Sequence, residues 1–95
     1  MTDDIGHASI DAINALLSDA PDNVAHHFSN ATRLLTTWRD GLIARWRQTG
    51  AEVDRQRLDQ VNAALSLIVG GQFSLGSIHW PKIEQLPHNL TNLVV

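Results

Sequence analysis

Ninety-five residues suffice for one domain with a single, thin core. The chain has no cysteine, which excludes disulfides, thiolate chemistry, zinc fingers and iron–sulfur ligation. Its net charge is −3 and only 18% of its residues are charged, so it is no polycation, and neutral polar side chains or a second chain must complete its surface.

Residues 1–6, Met-Thr-Asp-Asp-Ile-Gly, read as a loose acidic leader to one helical domain spanning 1–95. Targeting presequences need bases where these acids stand. The apolar run at Leu67-Ile68-Val69 is far short of the ~20 residues that span a bilayer. A soluble, cytoplasmic chain is the expectation. From His7 to about Leu17, apolar residues at Ala8, Ala12, Ile13, Leu16 and Leu17 recur at helical spacing. Pro21, flanked by Asp19 and Asp22, marks the start of a second helix.

That second helix carries the clearest pattern. Val24, Phe28, Ala31, Leu35, Trp38, Leu42 and Trp46 fall within an arc of roughly 80° at 100° per residue. Gly41 interrupts the stripe's background and either admits a close neighbour or marks a bend. At Thr49-Gly50-Ala51-Glu52, Gly50 closes the helix or Thr49 and Glu52 form a capping box for the next. The stripe cannot continue in phase beyond this point, which predicts a tight antiparallel hairpin. The third helix has a charged first half, Glu52 to Gln60, and an apolar second half, Val61 to Val69, that needs cover on more than one side. Gly70 and Gly71 read as its cap, with positive φ, and Phe73, Leu75 and Ile78 as returning to the core. Trp80-Pro81 starts a C-terminal helix carrying Ile83, Leu86, Leu90, Leu93 and Val94. Pro87 kinks it or divides it in two. The fold class is all-α: a small up-down bundle of three to four helices around a long central hairpin.

No catalytic constellation is legible. The glycines at 70, 71 and 76 follow a helix rather than a strand, and no lysine follows them, so they do not make a phosphate loop. No serine sits in a nucleophile elbow. Among the histidines, His7 with Asp11 and Asp22 with His26 have the i, i+4 spacing of a helical metal pair, as do Glu84 and His88 around Pro87. His27 could approach the first pair across a hairpin. The plain reading is exposed histidines, with no metal and no cofactor.

Five of the seven basic residues, Arg39, Arg45, Arg47, Arg55 and Arg57, surround the hairpin turn, while five of the ten acids lie in the first 22 residues. Arg55 and Asp59 have the spacing of a local ion pair. Arg45-Trp46-Arg47 combines the residue types that dominate interface hot spots. The expected function is a small non-enzymatic interaction or regulatory module that docks helices, homo-oligomeric or bound to another protein. Its candidate partner-binding residues are the five arginines with Trp46, His79 and Trp80. The alternatives are nucleic-acid or phosphate binding at the arginines, and a small ligand or metal near the histidines.

Overall fold

Among the described residues four helices follow in chain order: α1 (Thr2–Ser18), α2 (Val24–Thr49), α3 (Glu52–Phe73) and α4 (Trp80–Thr91). The computed structural model describes residues 2–18, 23–73 and 78–94, and among these there is no strand. Each helix packs on two others: α2 touches α1 and α3, and α4 touches α1 and α3. The result is a small all-α bundle with the helices in cyclic order. Its long dimension is 42 Å, close to the ~39 Å length of a 26-residue helix such as α2.

The central hairpin forms as its sequence predicts. Gly50 closes α2 in the left-handed region (φ 63°), and its N–H donates to Trp46 O at 2.8 Å. Two observations fix the register of α2 against α3. Phe28 lies against Gly71, and Arg45 lies 3.4 Å from Asp54. Equal helical steps from the first pair reach the second. They place Ala31 opposite Ile68, Leu35 opposite Ala64, Trp38 opposite Val61 and Leu42 opposite Arg57. The first three of these pairs match a large side chain with a small or medium one, which is what close packing between parallel axes requires. Phe28, Ala31, Leu35, Val61, Ala64 and Ile68 are fully buried, and Trp38 and Leu42 nearly so.

Three expectations need correction. Residues 2–6 are not a loose leader, because α1 begins at Thr2. Gly6 is buried, and a methyl added there would collide with Val94 Cγ1 and lie 3.2 Å from Trp38 Cζ2. The start of α1, the middle of α2 and the end of the described chain therefore meet at one level. Nor do Gly70 and Gly71 cap α3. The helix runs through both to Phe73, and Gly50 is the sole glycine with positive φ among the described residues. Gly71 instead lets the Phe28 ring approach, since a Cβ there would stand 2.6 and 2.8 Å from two ring carbons. Ile78 packs on the core, whereas the Phe73 side chain and Leu75 lie outside the described residues. Finally, Pro87 does not divide the last helix, which is one element from Trp80 to Thr91. Pro87 leaves the Ile83 carbonyl without its i+4 donor, while burial of Ile83, Leu86 and Leu90 holds the helix on the core.

At Gly41, a Cβ meets nothing within 4 Å, so neither close packing nor a clash explains the glycine. The same holds at Gly70. Gly41→Ala and Gly70→Ala should each raise stability by about 0.5–1 kcal/mol in urea denaturation. Gly71→Ala should lower it by roughly 1–3 kcal/mol, because the added methyl collides with the fully buried Phe28 ring. A glycine cap at Gly70 would reverse the sign of its substitution.

Candidate functional site

The arginine end of the bundle is built on the last two turns of α2 and the first two of α3. Level with Trp38, α2 is flanked by Gly6 of α1 and by Val94 beyond α4. Further along the hairpin the cover ends. Every residue from Ala44 to Val53 is exposed, except Ala51, which is half-buried. Trp46 and Val53 are the large hydrophobic side chains left exposed among the described residues, at 38% and 52%. Trp46 is in phase with Leu42 and the rest of the α2 stripe, so it continues the core face beyond the point where other helices cover it. The register sets Val53 at the same height on α3.

One carboxylate organises this end. Asp54 is 2% exposed, the charged residue among those buried in the described chain. Its Oδ2 accepts a 2.6 Å hydrogen bond from the Thr49 hydroxyl, which in turn accepts the Ala51 N–H at 3.2 Å. Its Oδ1 has no hydrogen-bond partner and faces Arg45 Nε at 3.4 Å and Arg57 Nη1 at 3.9 Å. Asp54 stands in the first turn of α3, where the helix dipole favours a negative charge. Thr49 therefore serves the turn through Asp54, and the expected capping box with Glu52 does not form.

The remaining arginines are distributed differently from the sequence expectation. Arg55 pairs with Glu52 at 3.8 Å rather than with Asp59. Arg39 pairs with its neighbour Asp40 at 3.1 Å. Arg47 has no carboxylate partner among the described residues. Four of the five arginines are thus within 4 Å of a carboxylate, and three of them line the hairpin turn.

His79 and Trp80 do not join this group. The Trp80 ring lies 6.0 Å from that of Phe28, at the opposite end of α2, about 26 Å along the helix from Arg45. Trp80 is half-buried in the core's edge, and the His79 carbonyl starts α4 by accepting N–H bonds from Lys82 and Ile83. The histidines remain apart as well. His7, His26, His79 and His88 are exposed, and the nearest ring neighbours are His26 and His27, 5.8 Å between centroids and 59° tilted. Among the described residues no group of three His, Cys, Asp or Glu could hold a metal ion. Asp22 lies outside them. Two surface depressions among the described residues, one bounded by Gln56, Asp59, Gln60 and Ala63 and the other by Asp40, Ile43, Ala44 and Arg47, each follow one face of a single helix.

Sequence reasoning missed Asp54 and Val53. The signal for Asp54 was present: it falls in phase with Leu58, Val61, Leu65 and Ile68, so a carboxylate occupies the inward face of α3. Nothing in the sequence marks Val53, which no third helix covers among the described residues.

Comparison with protein-family models, curated proteins and solved structures gives no match. The class defined by the fold and its exposed end is a small four-helix bundle with a protruding, arginine-rich hairpin. Among the described residues no helix is long and apolar enough to cross a membrane.

Asp54→Ala and Thr49→Val should each destabilise the protein by about 1–3 kcal/mol, since each breaks the part-buried hydrogen bond to the Asp54 carboxylate. The double variant should cost clearly less than the two together, because both act on one interaction. Additive losses in urea denaturation would show that the Thr49–Asp54 bond is not formed. Arg47→Ala should change stability by no more than about 0.5 kcal/mol.

Proposed function

We propose that this protein is a small non-enzymatic interaction module that docks helices through the exposed end of its α2/α3 hairpin. The observation that carries this reading is the position of Trp46. It belongs to the core face of α2 by phase, yet it stands 38% exposed, where α1 and α4 no longer cover the hairpin. Val53 extends the apolar surface at the same height, and Arg45 and Arg47 flank it. Trp and Arg are the residues most enriched where interfaces concentrate their binding energy. Arg47 offers its guanidinium without first breaking an internal pair. Arg45 offers it at the cost of the contact with Asp54. Self-association is the simplest form of the module, since two-fold dimers are the commonest oligomers.

Recognition of nucleic-acid phosphate by the same arginines draws less support from this geometry. Four of them already face carboxylates, and the chain is net negative. A phosphate site needs uncompensated positive charge.

Native mass spectrometry at neutral pH tests the reading. A dimer or larger species is expected. A monomer that retains an added ion or small molecule would favour a ligand-binding protein, and a bare monomer would remove the self-associating form. Fluorescence anisotropy with a labelled oligonucleotide at low ionic strength should show no binding. Binding that collapses as salt rises would instead support phosphate recognition.

A further inference from the structure

The body of the bundle has four helices around its core, but its hairpin end has two. Trp46 occupies a position which, one turn earlier at Leu42, is 4% exposed. Among the described residues no second pair of helices reaches the level of Trp46 and Val53. We infer that a second copy of this chain supplies them: two hairpin ends lie antiparallel, each on the other's Trp46 and Val53, and complete a four-helix layer. This inference rests on the interaction reading above and names its occupant.

The charges favour a copy over a partner of one sign. Residues 39–59 hold five arginines and four carboxylates, Asp40, Glu52, Asp54 and Asp59. A uniformly acidic peptide would leave those carboxylates facing like charge, whereas a mixed surface turned upon itself by a two-fold axis pairs opposite signs. The free groups exist in both signs. Arg47 has no partner among the described residues, and Glu52 is 68% exposed with a single 3.8 Å contact to Arg55. In an isologous contact each copy offers both groups, so Arg47 of one can reach Glu52 of the other twice over. The apolar part is also self-complementary. The Trp46 ring is 38% exposed in its own chain, and Val53, at the same height and 52% exposed, presents a small apolar surface for the ring of the second copy.

The experiment measures oligomeric state by sedimentation velocity on the full chain, from micromolar to near-millimolar concentration, for the wild type and for Trp46→Glu. A reversible dimer is expected, with its dissociation constant raised at least roughly 30-fold by the substitution, as for a central hot-spot residue. Trp46 is exposed, so the variant should keep the wild-type helical circular dichroism. Because the chain has no cysteine, Val53→Cys provides a single thiol. A short bis-maleimide should link that variant into dimers, and should leave Asn14→Cys, on exposed α1 surface, unlinked. A dimer indifferent to Trp46→Glu, or linked through position 14 and not 53, overturns the inference but leaves an interaction module that uses another face. A monomer at every concentration overturns the self-associating reading itself, and the inference with it.

Discussion

The antiparallel seam between α2 and α3 is the constraint on which the rest of the molecule depends. Phe28 against Gly71 sets one end of the seam and Arg45 with Asp54 sets the other. Between them the register alternates side-chain sizes so that two long helices can lie close. Each helix then turns a second face outward, and α1 and α4 fill those faces, meeting each other around Gly6 and Val94. A register shifted by one turn toward Leu42 would take Asp54 away from Arg45 and leave a buried carboxylate without that cation, a burial that costs several kcal/mol. The ionic contact thus fixes alignment as well as closing the turn.

The seam is longer than its cover. α1 spans 17 residues and α4 spans 12, against 26 and 22 for the central pair. The surplus lies at the turn, because the opposite end is closed by Phe28, Gly71, Ile78 and Trp80. At the turn the core changes from apolar to polar. Thr49, Asp54, Arg45 and Arg57 do there what hydrophobic layers do in the body, and Trp46 is left outside. The functional proposal follows from this mismatch in length rather than from any reactive group.

How far the fold was legible in the sequence varied with the range of the interaction involved. The stripe from Val24 to Trp46 depends only on spacing within one helix, and it specified α2 and its buried face correctly as far as Leu42. Gly50 closed α2 because its role depends on local backbone geometry. Gly6 and Gly71 were misread for the opposite reason. Gly71 serves a close approach by Phe28, more than 40 residues away in the chain, and Gly6 serves one by Trp38 and Val94. Local rules assign such glycines to caps and leaders because their true neighbours are distant in sequence. The candidate site divided in the same way. Arg45, Arg47, Arg55 and Arg57 lie within two turns of Gly50, whereas Arg39 stands beside Trp38 in the body, and the Arg45 contact with Asp54 crosses between helices. His79 and Trp80 resembled a site only because they stand together in sequence; in the fold they start α4 and close the far end of the core.

Hydrogen–deuterium exchange, resolved along α2 and α3 at two protein concentrations, tests the account most directly. Strong protection is expected at Phe28–Leu42 and Val61–Ile68 at both concentrations. Protection across residues 43–57 should be weak at low concentration, rising at high concentration as the hairpin ends dock. Protection of that segment equal to the body's at low concentration would mean that the end is already covered within one chain. Protection that stays low while the protein dimerises would place the interface elsewhere. Either result would contradict a four-helix body with an open, self-completing end.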